Sequence, residues 1–239
     1  LFVAQYDLSG DVGAVDTLEG GNEPLEVTAI NKTAMERLGG VRDGTIEFTS
    51  FWDTATDAQH AALKTLPTTD RITSWFLGTT LGNPAASIVA KQVNYAWERG
   101  DDGSITGSVE AHANAYGLEW GVQLTAGKRT DTAATNGTGV DLGTGSTAFG
   151  LQSYLHVFPP FVGTSVTVKL QESSDNGAGD AWTDVTGGAF TAATGGTSQR
   201  IATASGLTVE RYLRAVTTGT FSSAVFAVNV IRNDTAVSF

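Results

Sequence analysis

The sequence contains no cysteine, which excludes disulfides, thiolate metal sites and cysteine nucleophiles together. Charged residues make up only 16% of the chain, and no run of 18 apolar residues is present to span a bilayer. The fold must therefore depend on apolar burial and backbone pairing, which suits folding in a reducing cytoplasm. A hydrophobic share of 41% is enough for a packed core, and 239 residues are enough for two domains.

Motifs for catalysis are also missing. The chain has no Gly-x-Ser-x-Gly elbow, no P-loop and no dinucleotide fingerprint. Its three histidines, His60, His112 and His156, lack neighbours at metal-ligand spacing, so we expect structural roles for them. The segment Asp175–Asp180 has some oxygen ligands of a calcium loop but not their EF-hand order, and we expect a turn there. The sequence thus predicts no enzyme, no cofactor and no metal.

Acidic residues exceed basic ones, and the excess is uneven. The net charge is −11. Residues 1–140 hold 18 acidic against 9 basic side chains, and residues 141–239 hold 7 against 5. A protein that grips nucleic acid needs a basic face to neutralise phosphates, and Lys128–Arg129 is the only basic cluster here. We therefore expect no specific DNA binding. An acidic wall would let DNA slide past without adhering, but from charge alone the favoured interpretation is that the acidic excess keeps the protein soluble.

Alternating patterns predict mostly β-structure. Ser104–Asn114 places Val109 and Ala111 on one face and Glu110 on the other. Leu118–Thr125 alternates in the same manner, with Trp120 predicted inward and Glu119 outward. Further alternating strands are expected at Thr45–Trp52 and around Val166, Val168 and Leu170, and strands buried on both faces at Arg71–Leu77 and Val225–Ile231.

One short helix is expected at Ala58–Leu66. Thr54 and Asp57 have the spacing of a capping box, and Pro67 marks the end of the apolar pattern. A boundary is expected within Gly127–Thr147, which is rich in Gly, Thr and Asn. This divides the chain into a first domain, 1–140, and a β-sandwich domain, 146–239.

Several segments resemble the major tail proteins of long-tailed phages that infect actinobacteria. The resemblance covers essentially the whole chain. It is carried in the first half by Leu8–Arg42, Asp43–Phe51, Leu66–Arg71, Leu77–Pro84 and Tyr116–Asp131, and in the second half by VTVKLQESSDNGAGDAWTDV and IATASGLTVERYLR. Each string is only moderately specific, whereas their order along one chain makes accident improbable.

The resemblance implies a structural subunit of the tail tube in the virion, assembled in the host cytoplasm. Such subunits are all-β, each a β-sandwich with one short flanking helix, and they form hexameric rings whose sheets join into an inner β-barrel across subunits. The rings stack along a tape-measure protein between initiator and terminator proteins and form the conduit for genome ejection. By analogy, an N-terminal arm, Leu1–Pro24, and a loop, Asn31–Asp43, would bridge subunits, and 146–239 would decorate the outside.

Two residues are predicted to face the lumen of such a tube. Glu110 and Glu119 lie on the expected polar faces of their strands, in the half of the chain with the larger acidic excess. Two other readings stay open. One is a capsid decoration or head-associated protein. The other is a carbohydrate-binding β-sandwich in which Tyr154, Trp182 and Tyr212 stack on sugars.

Overall fold

The structure, a computed structural model, describes residues 1–66, 69–143 and 145–237. It is nearly all β, and α1 is the only helix within that range, as expected. The elements in chain order are β1 (Phe2–Val3), β2 (Tyr6–Asp7), β3 (Val12–Glu26), β4 (Arg37–Phe51), α1 (Gln59–Leu63), β5 (Arg71–Phe76), β6 (Pro84–Gln92), β7 (Ala96–Arg99), β8 (Ile105–Ala113), β9 (Glu119–Gln123), β10 (Arg129–Asp131), β11 (Val140–Asp141), β12 (Leu151–Ser173), β13 (Thr183–Ala189), β14 (Thr197–Ala202) and β15 (Tyr212–Arg232). None of the described helices is long and apolar enough to cross a membrane.

Two compact units make up the chain, and their limits differ from the predicted domains 1–140 and 146–239. Unit 1 consists of Leu1–Ser9, Ser74–Ser87 and Trp120–Phe239. Unit 2 consists of Gly10–Thr73 and Ile88–Glu119. The chain therefore passes between the units four times, which a composition shift along the sequence does not reveal.

The long antiparallel strand pair β12–β15 is the main structural element of unit 1. Its register runs from Leu151 opposite Arg232 to Ser173 opposite Tyr212. Strands β13 and β14 pair with β12 and extend this curled sheet. The buried core includes Val166, Val168 and Leu170, as their alternation predicts. The near-continuous apolar run in the C-terminal half of β15 is largely buried, also as expected.

The predicted linker at Gly127–Thr147 is instead part of unit 1. Both β10 and β11 lie within it and pair with β15. Asp131 is 4% exposed and accepts two hydrogen bonds from the Arg129 guanidinium, each 2.8 Å, and one of 2.6 Å from Thr217 Oγ1. Polar contacts with residues more than 80 positions away in the sequence thus hold this segment in place. Because these contacts need few apolar residues, the composition of the segment resembles that of a loop.

The N-terminal nine residues pack into unit 1. Phe2, Val3 and Leu8 are buried, and the Leu1 ammonium donates a 2.9 Å hydrogen bond to Ser9 Oγ. Phe2 contacts the rings of Phe76 and Phe158 edge-on, each with centroids 5.0 Å away. The first nine residues of the arm expected at Leu1–Pro24 are therefore not a free arm but part of the packed unit 1.

A buried polar relay holds this N-terminal segment. His156 is fully buried, and its Nδ1 donates to the carbonyl oxygen of Ala4 at 2.6 Å. Its Nε2 accepts a 2.8 Å hydrogen bond from Ser74 Oγ, which lies 2.6 Å from Ser87 Oγ. This arrangement fits the neutral imidazole, and burial lowers the pKa of His156 to about 4.

Unit 2 is built on an antiparallel sheet. β4 pairs with β3 on one side and with β8 on the other, and β7 pairs with β8. Glycine is required where Leu118 crosses the β3–β4 hairpin: a Cβ on Gly44 would lie 2.5 Å from the Leu118 backbone nitrogen. The backbone N–H of Leu118 also donates to the carbonyl of Asp43. This crossing divides the hairpin into a covered base and an uncovered remainder.

Helix α1 is shorter than expected, and a different residue caps it. Its N-cap residue, Ala58, makes no side-chain cap, and Asp57 has a φ of 63°, so the predicted capping box is wrong. Asp11 Oδ2 instead accepts a 2.8 Å hydrogen bond from the backbone N–H of Gln59. The acceptor comes from a segment 48 residues earlier, which local spacing does not reveal. The predicted stop, Pro67, lies outside the described residues.

Candidate functional surfaces

One side of the β4–β8 pair is acidic and partly exposed. Its other side is core, because Ile46 and Phe48 on β4 and Val109 and Ala111 on β8 are buried. The alternation predicted for Ser104–Asn114 is thereby confirmed from Ser108 to His112, whereas Ile105, which it also places inward, is 37% exposed. On the polar side, Glu47 lies directly opposite Glu110. We call this surface the acidic face; it comprises Asp16, Thr17, Glu47, Ser108, Glu110 and His112.

Hydrogen bonds hold both carboxylates of the acidic face in place. Glu47 accepts from Thr17 Oγ1 at 3.2 Å and from Ser108 Oγ at 3.3 Å. Glu110 accepts from Asn94 Nδ2 at 2.9 Å, and His112 Nε2 lies 3.3 Å from its other oxygen. Sequence alternation identified Glu110 but not Glu47, because strand pairing decides which carboxylates become neighbours.

The second predicted lumen residue, Glu119, has a different environment. Glu119 is 4% exposed and Trp120 is 51% exposed, so the predicted inward and outward faces are reversed here. Further along, Gln123 and Thr125 are buried and their side chains bond to backbone groups. Polar side chains in this segment are buried and form internal hydrogen bonds, so a polar residue type does not indicate an exposed position here. Whether either glutamate lines a lumen stays a prediction.

The outer part of the β3–β4 hairpin is exposed on both sides. We call Gly20–Asp43 the hairpin arm; every residue in it is exposed except Thr28 and Gly40, which are partly exposed. The predicted bridging loop, Asn31–Asp43, is therefore half turn and half strand. From Gly44 to Arg37 the strand extends about 23 Å at 3.3 Å per residue. Large apolar side chains remain uncovered on this arm: Leu25, Val27, Ile30, Met35, Leu38 and Val41.

The arm also exposes backbone. Within the described part of the chain, β3 pairs with β4 alone, so its other edge lacks a strand partner. Leu25 and Leu38 lie opposite one another on the two strands, with 51% and 58% of their surfaces exposed. An uncovered apolar pair beside a free edge is a surface that invites strand addition or docking.

A second apolar surface lies at the opposite end of β4. We call it the aromatic end; it comprises Phe51, Trp52, Trp97 and Ile105. The backbone N–H of Trp52 donates a 3.0 Å hydrogen bond to the backbone carbonyl of Ile105. The Trp52 and Trp97 rings meet edge-to-face, with their centroids 5.0 Å apart. Phe51 is 52% exposed, Trp52 39% and Ile105 37%.

Side chains from α1, from the segment just before β7 and from β7 itself support the aromatic end. Trp52 contacts the His60 ring at a centroid distance of 4.3 Å, and His60 Nδ1 is hydrogen-bonded to Tyr95 Oη. The Trp97 ring lies over Gly107, where an added Cβ would be 2.7 Å from the indole. His60 therefore has the packing role expected for it, and Trp52 is held in one orientation with part of its ring in solvent.

The remaining sequence candidates do not form sites. Asp175 accepts hydrogen bonds from the N–H groups of Ala178, Gly179 and Asp180, so its carboxylate closes its own turn, as predicted. In the described residues no group of three or more His, Asp or Glu is placed to hold a metal.

Of the three aromatics considered for sugar stacking, Trp182 and Tyr212 are partly exposed and each lies against an arginine. Tyr154 is fully buried. The Arg214 guanidinium lies 4.4 Å from the Trp182 ring centroid, and that of Arg211 lies 5.0 Å from the Tyr212 ring centroid. Packing and cation–π contacts therefore account for all three rings.

No protein-family model matches the chain, and no curated protein does. One solved structure that matches is described as "Crystal Structure of SPP1 Dit (gp 19.1) Protein, a Paradigm of Hub Adsorption Apparatus in Gram-positive Infecting Phages". It is 12% identical, with a TM-score of 0.30, over 95% of this chain and 97% of that chain. A TM-score of 0.30 is too low to establish a shared fold.

Proposed function

We propose that this chain is a non-enzymatic structural subunit of a bacteriophage tail tube, and that copies of it polymerise into stacked rings. The observation that carries the proposal is the hairpin arm. It extends about 23 Å beyond the Leu118 crossing and exposes six large apolar side chains that its own unit leaves uncovered. Such a surface is costly in a monomer and is useful when a second copy covers it.

The free edge of β3 supports the same conclusion. An exposed strand edge pairs readily with another chain, and closure of such pairing around a ring ends it in the plane. A ring of this kind joins the sheets of neighbouring subunits into one barrel. Six subunits per ring is the number that the sequence resemblance implies, together with a tape-measure protein and with initiator and terminator proteins as partners in the virion tail.

The acidic face supplies a wall for the conduit. Glu47 and Glu110 present like charges to phosphates, so DNA passes without the salt-dependent affinity that lysine or arginine would create. Glu110 is the better of the two predicted lumen residues, because the side chain of Glu110 is 36% exposed whereas Glu119 is 4% exposed. Glu47 joins it as a wall residue that the sequence pattern missed.

The test compares the intact chain with a variant whose arm is shortened. Residues 27–36 are replaced by Asn-Gly, a two-residue hairpin turn, which removes Val27, Ile30 and Met35 and leaves the strand base intact. Sedimentation velocity over a concentration series should show polymers for the intact chain and monomers for the variant, with equal melting temperatures. A variant that polymerises like the intact chain would contradict the proposal, and binding of monomers to empty capsids would favour a decoration protein.

A further inference from the structure

Helix α1 and the turns on either side of it are strained. We call residues 53–66 the α1 segment. Asp57 has a φ of 63° and Leu66 a φ of 41°, the left-handed region that is costly for a residue with a side chain, and more so for Leu than for Asp. The helix between them has five residues, which is too short to be stable by itself. The α1 segment therefore depends on its contacts with the rest of unit 2.

Those contacts are made by side chains. Asp11 Oδ2 accepts a hydrogen bond from the backbone N–H of Gln59 at 2.8 Å, and Gln92 Nε2 donates one of 3.1 Å to the carbonyl of Leu63. Apolar contact comes from Ala62 and Leu63, which are each 1% exposed. A few side-chain contacts attach a segment less firmly than the ladder of backbone hydrogen bonds that joins two strands.

Buried polar atoms in and around the α1 segment lack partners. Among the residues that the structure describes, eight buried side-chain nitrogen or oxygen atoms have no hydrogen-bond partner, and five of them belong to unit 2. These five are both amide atoms of Gln59, Oε1 of Gln92, Nε1 of Trp97 and Oγ of Ser50. Each unpaired atom costs free energy that it would recover by bonding to water.

The Tyr95 hydroxyl lies among several of these atoms. It is hydrogen-bonded to His60 Nδ1. Burial raises the pKa of the Tyr95 hydroxyl, and the Gln59 and Trp97 side chains beside it offset part of the rise. Neither of these two side chains reaches the hydroxyl with hydrogen-bond geometry. The closed segment thus gathers polar groups without pairing them.

Ser50 belongs to the same interior. Residues opposite one another on paired strands share a side of the sheet, and Ser50, Gly107 and Trp97 are opposite one another on β4, β8 and β7. The Trp97 ring lies over Gly107. Two positions along their strands, Phe48 and Val109 are buried on this same side. The unpaired hydroxyl of Ser50 is therefore on the core side of the sheet, next to the Trp97 ring.

We propose that the α1 segment is a lid that opens away from the sheet of unit 2 without unfolding the sheet. Opening relaxes the left-handed backbone at Asp57 and Leu66 and gives the unpaired atoms access to water, which offsets the exposure of Ala62 and Leu63. The closed and open forms are therefore close in free energy, and anything that prefers one of them shifts the balance.

The lid also controls the aromatic end. His60 of the α1 segment contacts the Trp52 ring at a centroid distance of 4.3 Å, so Trp52 is held in the closed form and released in the open form. The exposed surface of the aromatic end thus has two forms, selected by the lid. This inference goes beyond the proposed function and does not depend on it.

Labelling of a buried thiol tests the lid directly, because the chain has no cysteine of its own. Ser50→Cys places one thiol under the lid. Ser153→Cys is the matched control, because Ser153 is equally buried in unit 1 and its hydroxyl donates to the carbonyl of Asn229 at 2.6 Å. N-ethylmaleimide should label the folded Ser50→Cys subunit about tenfold faster than the Ser153→Cys subunit.

Substitutions of Asp11 test what holds the lid closed. Asp11→Ala removes the acceptor at the start of α1 and should speed labelling of Ser50→Cys about fivefold. Asp11→Asn keeps an acceptor oxygen and should change the rate little. Hydrogen exchange of β8, measured in the same variants, should stay the same, because the lid opens without the sheet.

Substitution of Gln59 tests the role of the unpaired atoms. Gln59→Leu removes both amide atoms at similar volume and should slow labelling of Ser50→Cys about tenfold. Gln199→Leu is the control for the same chemical change, because both amide atoms of Gln199 bond to the backbone of Thr191. It should lower the melting temperature and leave the labelling of Ser50→Cys unchanged.

Three results would overturn the lid. Equal labelling rates for Ser50→Cys and Ser153→Cys would show that the α1 segment does not open separately. Faster labelling after Gln59→Leu would show that the amide of Gln59 stabilises the closed form. Exchange of β8 that rises together with labelling would show unfolding of the sheet. All rates are measured on free subunits, so these results leave the tail tube proposal to its own test.

Discussion

Glu47 and Glu110 lie directly opposite each other on antiparallel strands, where two carboxylates repel. Each is held by polar neighbours, Thr17 and Ser108 for Glu47 and Asn94 for Glu110. Stability alone does not favour this pair, since a lysine at either position would form a cross-strand ion pair. The role proposed above for the acidic face in an assembled tube would account for the pair.

We therefore predict that Glu110→Lys stabilises the subunit but harms the conduit. The new ion pair with Glu47 should add up to about 1 kcal/mol to the free energy of unfolding. Assembled Glu110→Lys protein should also bind short duplex DNA at low salt and release it as salt rises, whereas the unaltered protein should not. Urea titration and fluorescence anisotropy measure the two effects. Loss of stability without DNA binding would count against a wall position for Glu110.

The crossing of Leu118 over the hairpin predicts which glycines are indispensable. Gly44→Ala places a Cβ 2.5 Å from the Leu118 nitrogen, and the required backbone shift should cost about 1–3 kcal/mol. Gly21→Ala is the matched control in the same hairpin, because nothing lies within 4 Å of its added Cβ. Thermal melts of both variants should separate them clearly. Equal melting temperatures would mean that Leu118 does not cross the hairpin at Gly44.

The buried imidazole of His156 predicts an acid-sensitive fold. Its pKa is lowered from 6.5 to about 4, so between those values the unfolded chain binds a proton that the folded chain does not. Stability from this group is complete above pH 6.5 and falls as pH drops toward 4, by about 3 kcal/mol over the window. Urea unfolding at half-unit pH steps measures this slope.

The control for the pH effect is His156→Gln, which does not titrate. Its unfolding free energy should lose most of the slope between pH 6.5 and 4, even though the substitution lowers stability at neutral pH. A slope of equal size in both proteins would assign the acid sensitivity to other groups and would contradict the role of the Ala4–His156–Ser74 relay.

The Arg129–Asp131 ion pair is predicted to hold the Gly127–Thr147 segment, whose composition suggests a linker, in its folded position. Asp131→Asn leaves the partly buried Arg129 guanidinium without its carboxylate and should cost about 3 kcal/mol. The surface pair Lys169–Asp184 is the comparison, since Asp184→Asn should change stability by less than about 1 kcal/mol. Limited proteolysis should cut within 132–147 in the first variant only. Equal protease resistance would show that the pair does not hold the segment.

Local patterns in the sequence predicted those parts of the fold in which one face of a strand is buried. The alternation of Val109 and Ala111 with Glu110 identified β8 and its polar side, and Val166, Val168 and Leu170 identified one edge of the unit 1 core. A period of two is sufficient there, because burial on one side and solvent on the other is what produces it.

Long-range contacts account for what the sequence did not predict. Glu119 is 4% exposed and Trp120 is 51% exposed, the reverse of what the alternation predicts, and Asp11 caps a helix 48 residues away. The same holds for the hairpin arm: its apolar residues alternate poorly, and only the absence of covering structure in unit 2 shows that they are exposed. Surfaces of this kind depend on strand pairing between residues that are far apart in the sequence, and a short stretch of sequence does not reveal that pairing.

Negative-stain electron microscopy of the purified protein over a concentration series tests the central claim most directly. The account predicts that rings and stacked tubes with a central channel appear as concentration rises, and that end views give the number of subunits per ring. Single particles at every concentration, or filaments without a channel, would contradict the proposal that the chain is a tail tube subunit.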